Sequence, residues 1–329
     1  MRDGWGRDIT YLRISVTDRC NLRCFYCRPA GGAAEPGAEP LTVDEIQRMA
    51  AAATTIGIRR FRLTGGEPLN RGDILDVVAA VSGLPDVVDL AMSTNGVGLA
   101  PLARPLRTAG LRRVNVSLDT LRPDRFRQIT RVGDWQRVWD GILAALAADL
   151  SPVKINTVVV RGSNDDEVAD LAALTVDRPL HVRFIELMPL GESYPWATDR
   201  YVSAPEMQER LAAAGFRLEP LGPESAVAGA GPARYYRQPG AVGTVGFVTA
   251  VSQHFCRGCN RLRLAADGTL YPCLDDLGGT DLRTPLRRGA GIVELAAILA
   301  DAVAQKPEQH HFATRSGAGS GRLMWRVGG

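Results

Sequence analysis

The chain has 329 residues, about twice a typical ~150-residue domain, so one barrel-sized domain with an appendage is as good an expectation as two equal halves. Hydrophobic residues make up 45% and charged residues 23%, and no run of ~18 apolar residues occurs, which excludes disorder and membrane spanning, gives no sign of a secretory leader and points to a cytoplasmic protein. A net charge of +3 is too mild for the basic stripe that nucleic-acid binding needs but suits a local pocket for one anionic ligand, so neither nucleic acid nor membrane is expected as a partner.

From residue 10 to about 186, short apolar runs alternate with helical stretches. Strands are predicted at 11–16, 60–64, 87–93, 112–119, 153–160 and 181–186, with helices at 42–56, 73–82, 98–109, 134–148 and 165–174. Thr42 followed by Glu45 forms a reciprocal capping pair at the first helix start. Six such β-α repeats imply a parallel sheet with right-handed crossovers, either open and doubly wound or curled into a full or partial barrel.

Successive strand side chains point to opposite faces, so parity tells which residues meet the lumen. Leu12, Ile14 and Val16 oppose Arg13 and Ser15; Phe61 and Leu63 oppose Arg62 and Thr64. Val114, Val116 and Leu118 oppose Asn115, Ser117 and Asp119, and Val153 and Ile155 oppose Lys154 and Asn156. With the apolar faces packed on outer helices, the inner face carries polar and cationic groups that cannot be buried without an anionic or hydrogen-bonding partner. The lumen is then a polar binding cavity. Solvent-facing antiparallel strands would show the same alternation, but the intervening helices favour parallel crossovers. Of 39 basic residues only Lys154 and Lys306 are Lys.

Stretches 31–40 and 222–232 read as loops, and the second closes a first domain at 222, leaving 223–329 as a smaller C-terminal domain. Strand-like runs follow at 233–237 and 243–251. A hairpin is predicted about Asp267-Gly268, between 261–266 and 270–271, then a helix at 292–303 and a Gly- and Ser-rich tail ending in Gly328-Gly329.

The six cysteines fall into two trios at opposite ends of the chain, a pattern unlike a disulfide framework and suited to metal ligation. Cys20, Cys24 and Cys27 form C-x3-C-x2-C directly after the first strand. Zinc would need a fourth ligand and no His lies nearby, whereas an iron–sulfur cubane held by three Cys keeps one iron open for a substrate or cofactor. Cys256, Cys259 and Cys273 form C-x2-C-x13-C, which suits a zinc ribbon completed by His254 or a second three-thiolate cubane. Arg261 and Arg263 share one face of a strand just beyond Cys259, and paired guanidiniums suit phosphate oxygens.

The first trio, with Tyr26 before its last Cys and Gly65-Gly66-Glu67-Pro68 after the second strand, resembles the radical S-adenosylmethionine (SAM) superfamily. With the second trio, the Gly-Gly terminus and segments such as Asn115-Val116-Ser117-Leu118-Asp119 and Arg183-Phe184-Ile185-Glu186-Leu187-Met188, the chain closely resembles the GTP 3′,8-cyclase family within it, which begins molybdenum-cofactor biosynthesis. Departures are confined to loops.

The resemblance implies an α/β fold, a partial (β/α)6 TIM-like barrel with a smaller C-terminal domain carrying a second cluster. It implies that Cys20, Cys24 and Cys27 hold a [4Fe-4S] cluster whose open iron takes SAM, near Tyr26, Gly66, Ser117 and Met188. Cys256, Cys259 and Cys273 would hold a second [4Fe-4S] cluster facing the guanine. Arg13, Arg62, Thr94, Lys154, Arg261, Leu262 and Arg263 match GTP-binding positions, Arg183 matches a basic one, and Arg13, Gly328 and Gly329 match catalytic ones. The implied reaction cleaves SAM to methionine and a 5′-deoxyadenosyl radical, which takes hydrogen from the ribose C3′ of GTP. The carbon radical attacks C8, and reduction gives (8S)-3′,8-cyclo-7,8-dihydroguanosine 5′-triphosphate. Implied partners are an electron donor of flavodoxin or ferredoxin type and, downstream, cyclic pyranopterin monophosphate synthase; a homodimer is compatible. The nearest alternative is another radical SAM enzyme with one auxiliary cluster, such as a peptide-modifying maturase, and a more distant one is a zinc-stabilised module binding nucleotides or RNA.

Overall fold

The computed structural model describes residues 1–28, 38–222, 227, 229, 231–275, 278–312, 324–326 and 328. Six strands, β1 (Tyr11–Ser15), β2 (Arg60–Thr64), β3 (Asp89–Thr94), β4 (Arg113–Ser117), β5 (Val153–Val159) and β6 (Leu180–Glu186), lie side by side in chain order and parallel. Between them run α1 (Val43–Thr55), α2 (Ile74–Ser82), α3 (Leu99–Thr108), the pair α4 (Pro123–Thr130) and α5 (Trp135–Ala147), and α6 (Val168–Asp177). Then come α7 (Ala204–Ala213), β7 (Glu219–Pro220), β8 (Arg234–Arg237), β9 (Thr244–Val248), β10 (Arg261–Leu264), β11 (Thr269–Tyr271), β12 (Thr280–Asp281), α8 (Arg283–Arg287) and α9 (Ile292–Ala304).

The expected alternation of faces sets the layers. Leu12 and Ile14, Phe61 and Leu63, Val114 and Val116, and Val153 and Ile155 are fully buried in one apolar cluster shared with the helices. Each such side chain contributes about 1.5–3 kcal/mol on leaving water. Thr42 and Glu45 cap α1 reciprocally, as their spacing predicts. Three helices escape the sequence reading. For α7 a signal exists, since Ser203 accepts from the Glu206 amide and Pro205 sits in the first turn. For α4 the apolar face is only Phe126 and Ile129, too short for a periodicity, and α8 is five residues long.

After residue 222 the chain does not build a sheet of its own. β9 pairs in parallel with β6, and β10 in parallel with β1. The result is one twelve-stranded sheet in the order β12-β11-β10-β1-β2-β3-β4-β5-β6-β9-β8-β7. The barrel strands are therefore extended at both edges, and β7 and β12 stand as the free ends. β10 and β11 form the expected antiparallel hairpin.

Candidate active site

The loop that leaves β1 carries Cys20, Cys24 and Cys27, and backbone hydrogen bonds from two sides fix it. Gly66 N donates to Thr17 O at 2.7 Å and Glu67 N to Arg19 O at 2.8 Å. From the other side, Arg23 N donates to Thr130 O at 3.1 Å and Phe25 N to Ile129 O at 3.0 Å, so the unforeseen α4 is one wall of this site. The two glycines are demanded by close approach. A Cβ on Gly66 would stand 2.4 Å from Arg19 O, and one on Gly65, at φ +150°, would stand 2.3 Å from Thr17 O. Their first role is thus to let the second strand's loop touch the cysteine loop.

Glu67, 1% exposed, binds this corner together. It accepts from Thr94 Oγ1 (2.7 Å), Asn95 N (2.6 Å) and Leu69 N (3.0 Å), and Asn95 Nδ2 donates to Asn21 Oδ1 at 2.7 Å. Burial pushes the Glu67 carboxyl up to about 7, against those donors. Tyr26 donates to Asp119 Oδ2 at 2.6 Å, and burial raises Asp119 to about 6. Neither Glu67 nor Asn95 is singled out for a role by sequence reasoning, although Glu67 lies within a motif it quotes.

One cavity is lined by Cys20, Cys24, Cys27, Tyr26, Gly66, Thr94, Ser117 and Met188, among others. None of the six cysteines is in a disulfide. Burial, then Asp119 and the neighbouring thiols, pushes Cys24 well above the usual thiol range. Burial and Cys20 push Cys27 up to about 12. Three thiols so placed resist becoming thiolates together unless a cation compensates them.

A second cavity collects Cys256, Cys259 and Cys273 with Arg13, Arg62, Arg183, Arg261, Arg263 and Lys306. Its apolar wall includes Phe255, Phe312 and Pro232. The register explains the cationic wall: Arg263 lies opposite Arg13, and Arg13 opposite Arg62. Three guanidinium-bearing positions on adjacent strands, about 4.8 Å apart, repel one another. Burial, then Arg263 and Arg62, drives Arg13 well below its ordinary range. Burial is also the largest cause that brings Arg62 and Arg263 each down to about 10. The Asn115 amide, turned with its oxygen toward the guanidiniums, accepts from Arg62 and Arg183, and Asn156 Oδ1 accepts from Arg183 Nε at 2.8 Å. Burial pushes Cys259 up, but Arg261 and Lys306 outweigh it and hold the thiol at about 7.

The two cavities share Asn156, Ile185, Met188 and Met324. Met324, Trp325 and Gly328, among the described residues of the C-terminal segment, lie at this junction. The Trp325 amide reaches the Cys27 sulfur, and the Arg28 guanidinium lies 4.4 Å from the Trp325 ring centroid. Arg263 Nη1 donates to Gly328 O, and a Cβ on Gly328, at φ +73°, would stand 2.3 Å from Thr64 Cγ2. Gly329 lies outside the described residues.

Three residues expected on the substrate lie elsewhere than the second cavity. Thr94 lines the first cavity and gives its hydroxyl to Glu67. Leu262 is fully buried in the apolar core, as its parity between Arg261 and Arg263 requires. Lys154, 2% exposed, lies deeper in the lumen opposite Asn115 and His181, with Nζ 5.5 Å from the Tyr235 ring centroid. Of the described residues within 222–232, a Cβ on Gly229 would touch the Arg113 guanidinium, and Gly231 and Pro232 line the second cavity.

A parallel strand set opened to a cavity at its carboxyl ends, with three cysteines on the loop after β1, defines a radical SAM enzyme. The "Radical SAM superfamily" description matches residues 14–175, and "Molybdenum Cofactor Synthesis C" matches residues 180–312. A GTP 3′,8-cyclase of Pelotomaculum thermopropionicum is 52% identical over 330 residues, and one of Heliobacterium modesticaldum 53%, each comparison covering all of both chains. Streptococcus suis SuiB bound to S-adenosylmethionine shares the fold at a TM-score of 0.56 and 14% identity, over 93% of this chain and 77% of that one. The chain belongs to the GTP 3′,8-cyclase family.

Proposed function

We propose that this chain cyclises GTP to (8S)-3′,8-cyclo-7,8-dihydroguanosine 5′-triphosphate, the first step of molybdenum-cofactor biosynthesis, in a chamber formed by the two cavities. The observation that carries the reading is that two cysteine trios line cavities with a common wall, and that the second cavity adds a cationic strip.

The donor sets fit iron–sulfur cubanes. No group of three or more His, Cys, Asp or Glu among the described residues is gathered for a single metal ion. A cubane asks for something different, since each thiolate meets its own iron and the sulfurs stay apart. Cys20, Cys24 and Cys27 would hold the cluster of the radical SAM family, and Cys256, Cys259 and Cys273 a second. When bound, the first cluster and SAM supply a carbon radical able to take hydrogen from a ribose carbon.

The chain's own residues bind, orient and shield. Arg13, Arg62, Arg261 and Arg263, with Arg183 and Lys154, form the cationic surface that a triphosphate neutralises, and forked guanidiniums fix its direction. Tyr26, Gly66, Ser117 and Met188 line the SAM side, and we place Thr94 there as well, acting through Glu67. Leu262 serves by packing, setting the two arginines that flank it. Met324 excludes water from the shared wall and Trp325 from the first cavity, while the Gly328 carbonyl orients Arg263, and Gly328 and Gly329 are the catalytic positions of the terminus. The two working parts are residues 1–222 and 223–329. A flavodoxin- or ferredoxin-type donor supplies electrons, cyclic pyranopterin monophosphate synthase takes the product, the setting is cytoplasmic, and a homodimer fits the reading. No helix among the described residues is long and apolar enough to cross a membrane.

The test is anaerobic incubation of reduced, reconstituted protein with SAM and GTP. Formation of 5′-deoxyadenosine together with an isomer of GTP supports the reading; 5′-deoxyadenosine without that isomer under any reductant contradicts it.

A further inference from the structure

Two buried cations stand behind the second cysteine trio, and no phosphate role uses both. Lys306, two residues beyond α9, is 3% exposed, and Arg7, in the segment before β1, is 8% exposed. The Lys306 ammonium donates to Arg261 O at 2.9 Å and to Pro272 O. Arg7 Nη1 donates to Cys256 O at 2.9 Å and to Glu308 O at 2.7 Å, and its Nη2 to Pro307 O at 2.7 Å. Asp3 Oδ2 accepts from Arg7 Nε at 2.6 Å, and Trp5 Nε1 donates to Lys306 O at 3.0 Å.

These bonds reach each cysteine-bearing stretch: Cys256 itself, the strand two residues past Cys259, and the residue before Cys273. A buried cation is tolerable only where several acceptors converge, and carbonyl oxygens of three distant segments converge here. Neutral donors would tie the segments equally well. A charge in this place does more, because the Lys306 ammonium interacts with the Cys259 and Cys273 sulfurs and the Arg7 guanidinium with that of Cys256, and so offsets the repulsion that three thiolates would exert on one another.

We propose that Arg7 and Lys306 are positioning residues for the second cysteine trio: together they gather its three stretches into one site, and Lys306, whose acceptors are carbonyls while Arg7 is paired with Asp3, sets positive charge behind the sulfurs, favouring the more negative, reduced state of a cluster held there. The inference rests on the two-cluster reading above. The test compares full-length Lys306→Met, Lys306→Arg, Arg7→Gln and Cys259→Ala after anaerobic reconstitution, by iron content, electron paramagnetic resonance of each cluster under a potential titration, and thermal melting. Lys306→Met is expected to keep the first cluster's signal while the second cluster is lost or titrates at a more negative potential, and Lys306→Arg to restore both properties. Arg7→Gln is expected to cut iron from about eight per chain toward about four. Full iron with an unshifted second potential in Lys306→Met overturns the inference, as does joint loss of both clusters with a lowered melting transition. A Cys259→Ala protein that still holds about eight iron would instead overturn the two-cluster reading.

Discussion

Arg13, half-buried, sits in register between the buried Arg62 and Arg263. Such a row is unfavourable in the empty protein and favourable around an anion. Arg13→Met should weaken GTP binding by about 10- to 100-fold, the ~1.5–3 kcal/mol of a charge-assisted hydrogen bond, and should reduce the salt dependence of binding; equilibrium binding at two ionic strengths checks this. Lys154 offers a proton count. Burial first, then Arg183, Arg113 and Arg62, bring it from 10.5 down to about 5. Between those values the unfolded chain holds a proton that the folded chain lacks, so Lys154's contribution makes the empty protein more stable as pH rises through that window and less stable as it falls. A triphosphate nearby favours the ammonium, so GTP binding at pH 7.5 should take a proton from the buffer. Calorimetry in buffers of different ionisation heat should show that uptake in the native protein and its loss in Lys154→Met; equal heats in all buffers would count against it.

At the scale of elements, the barrel strands and their inner faces were legible because period-2 alternation places Arg13, Arg62, Asn115 and Lys154 on one side, and the register then brings them together. The edges were not legible. Thr244–Val248 reads as a strand in isolation, but nothing local tells that it pairs with β6, nor that β10 pairs with β1. The partner of Thr94 was not legible for a related reason: its hydroxyl donates to a buried Glu67 from another loop, a tertiary contact with no sequence spacing. Gly65-Gly66 was legible as a family motif, but its close approach to the cysteine loop is a tertiary contact that the spacing does not show. Gly66→Ala should therefore displace that loop and lower iron loading at the first cluster while the second stays loaded, as cluster-resolved electron paramagnetic resonance would report. The tail belongs to this scale too. Gly328→Val, whose Cβ meets Thr64, should stop cyclisation with little change in melting temperature, and an unchanged turnover would make the terminus a passive end.

Taken as a whole, the molecule extends the sheet past β1 with β10 and past β6 with β9, and so brings the second cysteine trio to a cavity that shares a wall with that of the first, Met324 included. Cys24→Ala should abolish all SAM cleavage, whereas Cys259→Ala should keep uncoupled formation of 5′-deoxyadenosine and lose the cyclised nucleotide; product analysis by mass spectrometry separates the two. In this reading the cationic cavity delivers a ribose carbon across the shared wall to the SAM side. Incubation with GTP carrying deuterium at C3′ tests it most directly. Deuterium recovered in 5′-deoxyadenosine at the yield of cyclised product is the predicted result, and 5′-deoxyadenosine formed without deuterium beside that product would contradict it.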